Sequence, residues 1–334
     1  MMVKQINIGI IGIGRFGKNY LRTFDELENA KVTWICATKE STLNEALSQV
    51  KTGNTIKSTT NYKEILEDKE VDAVAITTPG TTHHEIAKAA LMADKHVIAE
   101  KPLCLNSKDV EELINISKEK NKALMVSHLH VFNPAIMKLK EDIKSGLFGK
   151  IDYIQIFHTG NGPVRADMGA VWDFFPHSAS ILLYLLEENP IEVSANGASF
   201  IKKDIEDITI MNLKFPERKF ATSLGSWLHP LKKMEITVVG ENMYASFDDY
   251  ATEEKLRYYN SRPKVIEGKI VIEDKGYTVP EIKDAKPLTQ QLKHFLDCIE
   301  NDTKPLTDGM EALKVIKILE SAQESINEKK TIKL

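Results

Sequence analysis

The sequence predicts an α/β protein in two parts. A parallel sheet covered by helices on both faces comes first. A mainly antiparallel or mixed sheet with a helix on one face follows. Short apolar runs alternate with longer amphipathic stretches from Gln5 to Ser127. A glycine-rich turn joins the first apolar run to the first amphipathic stretch. Beyond about residue 150, strand-like runs succeed one another with turn signals between them.

The apolar runs of the first part are Ile6–Ile11, Val32–Ala37, Ala73–Ile76, Val97–Ala99 and Ala123–Val126. All are short and rich in Val, Ile and Ala, as strands buried on both faces are. Helical patterns lie between them, and that alternation implies a parallel sheet. Thr42 with Glu45 and Thr82 with Glu85 read as capping boxes, and Asn61 with Glu64 marks a third helix start. In the second part, Ile151–Thr159, Glu192–Phe200, Ile208–Phe215, Lys219–Ser226, Glu235–Val239 and Met243–Asp248 read as strands. One helix interrupts them at about Asp173–Leu186. Two more close the chain, at about Thr289–Glu300 and Asp308–Ile326, with Asp308 and Glu311 capping the second. The stretch 257–286, with Pro263, Gly268, Gly276 and Pro280, is the expected irregular region.

The turn after the first strand reads Gly12-Ile13-Gly14-Arg15-Phe16-Gly17. G-x-G-x-x-G alone is a weak pattern; between a buried strand and a helix it signals a dinucleotide site. Gly12 permits the tight turn, Gly14 lets the backbone approach a pyrophosphate, and Gly17 lets the helix pack closely. The helix N-terminus then offers unpaired N–H groups to the phosphates. A dinucleotide site expects an acid at the end of the second strand to bind the ribose hydroxyl. Thr38-Lys39 stands there instead. A hydroxyl followed by a cation suits a 2′-phosphate, so the expected cofactor is NAD(P)(H), leaning to NADP. Glu40, one residue on, could still reach a ribose.

Ligands in such sheets lie beyond the carboxyl ends of the strands. Three further loops end there: Thr77-Thr78-Pro79 leading to His83, Glu100-Lys101-Pro102, and Ser127-His128 leading to His130. A lysine directly after a buried strand and before a proline sits on short backbone; its ammonium could bind or polarise a substrate oxygen. A surface lysine is the bland alternative. In the second part, Trp172-Asp173-Phe174-Phe175-Pro176-His177 forms another cluster. With Asp173 as N-cap, Pro176 falls in the first turn, where its missing N–H costs no bond. Asp173 and His177, four apart, share a helix face. A carboxylate near an imidazole can make it a general acid/base, although a cap and a satisfied core histidine would look the same. The adjacent pair His83-His84 diverges and reads as structural. No cysteine/histidine cluster suggests a metal.

Together these residues resemble the glucose–fructose oxidoreductase / inositol dehydrogenase / rhizopine-catabolism (Gfo/Idh/MocA) family. The resemblance rests on Gly12-x-Gly14-x-x-Gly17, Thr78-Pro79-x-x-x-His83, Glu100-Lys101-Pro102, Gly146-x-x-Gly149 and Asp173-x-x-x-His177, in family order. It implies a Rossmann domain followed by an α/β domain with an open-faced sheet that mediates dimers or tetramers. It further implies hydride transfer between a nicotinamide and a carbinol carbon of a sugar, cyclitol or nucleotide sugar. Lys101 and His177 become the catalytic pair, with Asp173 assisting; which of the pair carries the proton stays open. Cofactor contacts fall to Gly12, Ile13, Gly14, Arg15, Phe16, Gly17, Thr38, Lys39, Thr77, Thr78, Pro79, His83, Glu100 and Lys101. Substrate contacts fall to His128, Asn161, Arg165, Trp172, Asp173 and His177. The stretches 127–135 and 172–186 look like the nucleotide-sugar branch, which includes UDP-N-acetylglucosamine 3-dehydrogenases. Ser178 departs from that branch, which usually has Asp there, and segment 160–167 carries fewer arginines. Other readings of the same fold are a reductase of a C=N, dihydrodiol or bilin substrate, a non-catalytic NAD(P)-sensing regulator, and an enzyme that keeps its nucleotide while passing hydride between two sugars.

Composition bounds these expectations. A chain of 334 residues, 42% of them hydrophobic, fits two domains, expected at 1–125 and 126–334, with the C-terminal helix free to pack back on the first. Lys and Arg number 44 against 48 Asp and Glu, so no basic excess points to nucleic acid. No apolar run reaches the roughly 18–20 residues of a membrane span. The N-terminus runs straight into the first strand, and with no separate signal-peptide core a cytoplasmic location is expected. Cys36, Cys104 and Cys298 are too few and too scattered for a disulfide framework or a zinc site.

Overall fold

The computed structural model describes residues 5–165, 168–272 and 275–334. They form two compact units: the chain up to Phe132 with Lys286–Ile316, and Asn133–Ala285 with Lys317–Leu334. Among the described residues no helix is long and apolar enough to cross a membrane.

In the first unit, β1 (Ile6–Ile11), β2 (Ala30–Cys36), β3 (Lys57–Thr59), β4 (Ala73–Ile76), β5 (His96–Ala99) and β6 (Leu124–Val126) build one sheet. Its order is β3-β2-β1-β4-β5-β6 and every pairing is parallel. The crossovers are α1 (Gly17–Asp25), α2 (Glu40–Leu47), α3 (Lys63–Glu67), α4 (His83–Met92) and α5 (Ser107–Glu119). The strand order reverses between β1 and β4, the point where doubly wound sheets open a ligand crevice. Ile8, Ile10 and all of Ala73–Ile76 are fully buried, which is why these runs read as continuous apolar segments. β3 escapes an apolar search because Lys57-Ser58-Thr59 is a polar edge strand.

Two helix starts differ from the sequence reading. The first turn of α2 begins at Glu40 with Lys39 as N-cap, so Thr42 lies inside the helix. Thr82 does cap α4, but its hydroxyl bonds Thr78 Oγ1 and the Pro79 carbonyl instead of a helical N–H. At α3, Asn61 Oδ1 accepts the Lys63 N–H at 3.2 Å, so that start signal is met although Tyr62 is the N-cap.

The second unit opens with α6 (Pro134–Lys144) and β7 (Ile151–Asn161), followed by α7 (Ala170–Leu186). Then come β8 (Glu192–Ala198), β9 (Ile208–Lys214), β10 (Phe220–Ser226), β11 (Leu228–Gly240), β12 (Tyr244–Asp248) and β13 (Leu256–Tyr259). The irregular stretch carries a hairpin, β14 (Lys264–Ile266) with β15 (Lys269–Val271), and the short β16 (Tyr277–Thr278). The chain closes with α8 (Pro287–Glu300), α9 (Gly309–Glu328) and β17 (Ile332–Lys333). Asp308 caps α9, accepting the Glu311 N–H at 2.9 Å. α8 counts with the first unit and packs against α1.

The sheet of the second unit has nine strands in the order β16-β13-β12-β11-β7-β10-β9-β8-β17. Among the described residues only β7 and β10 pair in parallel; every other pairing is antiparallel. Period-two alternation sends Ile154, Ile156, Ala221, Ser223 and Met211 to one face, which α7 covers. Ser178 of α7 bonds Ser223 at 2.8 Å, and Phe174 lies so close to Gly225 that a Cβ there would sit 2.9 Å from it. Tyr153, Ile210 and Phe220 point the other way and are exposed, so this sheet is open on one face.

Candidate active site

In a parallel sheet all strands end on the same edge, so the loops after β1, β2, β4, β5 and β6 gather there. The glycine turn is built as its spacing predicts. Gly12 has φ +103°, and a Cβ on it would lie 2.8 Å from the Thr77 and Thr78 backbone. A Cβ on Gly17 would stand 2.2 Å from the Gly12 carbonyl oxygen. Above Gly14 nothing lies within 4 Å, leaving the space a phosphate needs. The Gly12 and Ile13 N–H groups both reach the Cys36 carbonyl, and the Thr77 hydroxyl donates to the Gly12 carbonyl. The loop is therefore held by its own strand, β2 and β4 together. Arg15, Phe16, Thr38, Lys39 and Pro79 are exposed at this edge, Thr77 and Thr78 half-buried, and Ile13 buried. This set can hold the two phosphates and the adenosine end of a dinucleotide.

His83 is 1% exposed, with one ring nitrogen 2.8 Å from the Pro102 carbonyl and the other 2.8 Å from that of Thr78. Both ring nitrogens are thus engaged by backbone, and the ring ties the β4 loop to the Lys101-Pro102 loop. Burial lowers its pKa, against the pull of the two carbonyls.

The end of β5 is fixed by Glu100 N–H donating to Ile76, and the end of β6 by Ser127 N–H donating to Ala99, both at 2.8 Å. Lys101 is half-buried directly after β5. Glu100 accepts the Tyr20 hydroxyl at 2.8 Å, and burial pushes its carboxyl pKa up. His128 is 2% exposed, and neither ring nitrogen has a hydrogen-bond partner. Burial, then the Lys101 charge, pushes its pKa down to about 3, so its ring is neutral at neutral pH. A neutral imidazole with two unused polar atoms suits a ligand hydrogen bond.

In the second unit, α7 starts three residues before the expected cap. Ala170 N–H donates to the Glu206 carbonyl at 2.8 Å, with Gly169 as N-cap. Asp173 is therefore a first-turn residue and not the cap. Pro176 lies inside the helix, where its missing N–H leaves the Trp172 carbonyl without its helical donor. Asp173 and His177 stay one turn apart, and both are half-buried, as is Trp172. Asp173 accepts the Trp227 indole N–H at 3.2 Å and pairs with Arg165 at 3.8 Å. His177 lies beside His158, their ring centroids 5.3 Å apart. Asn161 is exposed at the end of β7.

Sequence reasoning missed four residues of these clusters: His158, Trp227, Tyr20 and Gln291. His158 could have been found, because it occupies the inward phase of Ile154 and Ile156 in β7. Gln291 of α8, whose amide nitrogen donates to the Tyr20 oxygen at 3.2 Å, gives no such signal, since its partner is distant in sequence. Among the described residues no group of three or more His, Cys, Asp or Glu could hold a metal ion.

Residues 6–128 match the model of the oxidoreductase family, NAD-binding Rossmann fold, and residues 136–246 match the Gfo/Idh/MocA C-terminal domain. Myo-inositol 2-dehydrogenase of Thermotoga maritima is 24% identical over 353 aligned positions, covering 98% of both chains. UDP-N-acetylglucosamine 3-dehydrogenase of Acidithiobacillus ferrooxidans is 24% identical, over 93% of this chain and 94% of that one. A levoglucosan dehydrogenase solved with NADH and levoglucosan superimposes with a TM-score of 0.85 at 19% identity, over 99% of both chains, a likeness of fold. With both domain models matched in order across most of its length, the chain belongs to the Gfo/Idh/MocA family of oxidoreductases.

Proposed function

We propose that this protein is an NAD(P)-dependent dehydrogenase or reductase that moves a hydride to or from a carbinol carbon of a sugar, cyclitol or nucleotide sugar. The observation that carries the reading is the paired equipment of its two units. One has a strand-end lysine and a glycine turn shaped for a dinucleotide; the other has a histidine one helical turn from a fixed carboxylate. The open space over Gly14 and the positive φ of Gly12 fit a pyrophosphate. Gly12–Gly17, Thr38, Lys39, Thr77 and Thr78 would hold the nucleotide. A nicotinamide, when bound, supplies the hydride acceptor or donor.

The chain's own residues do the rest. His177 takes the hydroxyl proton as the carbinol is oxidised, and returns it to a carbonyl oxygen in reduction. Asp173, fixed by Trp227 and Arg165, stabilises the imidazolium. Lys101 holds the reacting oxygen and stabilises its developing charge. His128 supplies a neutral hydrogen-bonding group to the substrate. Lys39, with Thr38, favours NADP over NAD by pairing with a 2′-phosphate. The uncovered sheet face, where Tyr153, Ile210 and Phe220 are exposed, is where we place a homodimer or homotetramer contact.

A ligand selective for the folded protein raises its melting temperature by mass action. Each cofactor form is screened alone, then with free sugars, cyclitols and UDP-sugars. The reading predicts a shift with nicotinamide cofactors, larger for NADP, and a further shift with one polyol class. No shift with any nicotinamide cofactor would overturn it, and an NAD-only shift would overturn the NADP preference.

A further inference from the structure

The second unit carries a cation that the mechanism above does not use. β11 pairs unevenly with the carboxyl end of β7. Leu228 stands opposite Asn161 and Lys233 opposite Thr159, so residues 229–232 all face Gly160. Insertions of this kind re-aim side chains, and they collect beside active sites. This one is braced along its length. The Gly162 N–H donates to the Trp227 carbonyl at 2.9 Å, the Thr159 hydroxyl to the Leu231 carbonyl at 3.1 Å, and the Asp249 N–H to the Met234 carbonyl at 3.0 Å. Gly160 is buried and continues the inward phase of Ile154, Ile156 and His158. A Cβ on it would lie 3.7 Å from Lys232 Cγ, so the Lys232 stem takes the place of a side chain at 160. The stem therefore lies on the face where His158 meets His177, two residues, roughly 7 Å, further along β7 than His158.

The charge of Lys232 is left for a ligand. Lys232 is exposed, and its ammonium rests 5.0 Å from the centre of the Tyr250 ring, a contact that holds a cation without neutralising it. Its cationic neighbours are already engaged: Arg165 pairs with Asp173 at 3.8 Å and Lys233 with Glu235 at 2.8 Å. Among the described residues no carboxylate pairs with Lys232. We propose that segment 229–232 forms a substrate subsite in which Lys232 binds an anionic substituent, a carboxylate or a phosphate, of the sugar-like substrate. The hydroxyl-bearing ring then lies between that anion and His177. Sugar acids, sugar phosphates and nucleotide sugars carry such a group; free sugars and cyclitols do not. A cation left without its anion penalises the neutral analogue, so Lys232 selects the substrate while His177 moves the proton. This inference rests on the reading of His177 given above.

Calorimetry measures the binding of glucuronate, glucose 6-phosphate, UDP-N-acetylglucosamine, glucose and myo-inositol to the full-length protein, with NADH or NADPH present, at low and high NaCl. At least one of the three anions is expected to bind at least about tenfold tighter than both neutral polyols, the scale of one hydrogen bond between charged groups. A preference for glucuronate assigns a carboxylate; a preference for either phosphate ester assigns a phosphate. Lys232→Met keeps an apolar stem against Gly160 and removes the charge. It should bind the preferred anion at least about tenfold more weakly and lose most of the salt dependence, while Lys232→Arg keeps both. Neutral polyols that bind as tightly as every anion overturn the proposal but leave the polyol reading of the site standing. A folded Lys232→Met protein that keeps the preference for the anion, with its salt dependence, also overturns the proposal alone. Failure of every probe to bind overturns the proposal and the polyol reading together.

Discussion

The three glycines of the β1–α1 turn should respond differently to the same substitution, because a Cβ meets different neighbours at each. In Gly17→Ala the new methyl group would stand 2.2 Å from the Gly12 carbonyl oxygen and 2.7 Å from Thr77 Oγ1. Nonbonded heavy atoms rest at roughly 3.5 Å, so the first turn of α1 must move away from the loop. Overpacking of this kind costs about 1–3 kcal/mol, partly offset by the roughly 0.4–1 kcal/mol that alanine gains over glycine through the unfolded chain. Gly12→Ala adds backbone strain. At φ +103° a Cβ is disfavoured by about 1–3 kcal/mol, and the methyl also meets the Thr77 and Thr78 backbone at 2.8 Å, giving about 2–6 kcal/mol in all. Gly14→Ala meets nothing within 4 Å and should leave stability unchanged or slightly raised. Its methyl group instead occupies the space a pyrophosphate needs. Thermal melts of the protein without cofactor, and fluorescence titrations with NADH and NADPH, separate these effects. At roughly 2–4 °C per kcal/mol for a unit of this size, Gly12→Ala should melt at least about 4 °C early. Gly14→Ala should melt normally and bind cofactor at least tenfold more weakly. A Gly14→Ala protein with wild-type affinity would refute the reasoning about the turn, as would a Gly12→Ala protein with a wild-type melt.

Four further outcomes follow. Asp173→Asn keeps the Trp227 contact but weakens the support of His177, so kcat should fall at least tenfold with little change in cofactor affinity. Lys39→Ala should lower NADPH affinity about tenfold while leaving NADH affinity within twofold, as measured by fluorescence titration. His96 accepts the Ala123 N–H at 3.0 Å through Nδ1, and burial, then the Lys122 charge, pushes its pKa down to about 4. Its folded pKa lies below the unfolded value, so the unfolded state binds the extra proton. The stabilisation is full above about pH 6.5 and is lost as pH falls toward 4, by about 2–3 kcal/mol. In urea titrations across that range, His96→Asn should take up about one proton fewer on unfolding at pH 5. Phe220→Asp on the open sheet face should shift sedimentation toward monomer without changing the far-ultraviolet circular dichroism.

Much of the fold was legible because buried parallel strands leave an unbroken apolar signature. Ile6–Ile11 and Ala73–Ile76 match their strands end to end. β3 was not legible, because an edge strand needs no apolar residues. The start of α7 was misplaced because Asp173 looks like a cap, while the actual partner of Ala170 is a main-chain carbonyl 36 positions away, at Glu206. A backbone acceptor carries no residue identity for a sequence to display. Gly12, Gly17 and the spacing of Asp173 and His177 were readable from local geometry alone. His83 was less so, since its engagement with Thr78 and Pro102 depends on two loops meeting. Gln291, Tyr20 and Ser127 meet only after folding, from helix and strand ends far apart in the chain.

The central claim is that this chain moves a hydride between a nicotinamide and a carbinol carbon with Lys101 and His177. The direct measurement is absorbance at 340 nm when the wild-type protein, Lys101→Ala and His177→Ala are each incubated with NAD or NADP and a panel of sugars, cyclitols and UDP-sugars. The account predicts a substrate-dependent rise with wild-type protein, lost by at least a thousandfold in both variants while each still binds cofactor. A wild-type protein inert across the panel, or either variant turning over at the wild-type rate, would contradict it.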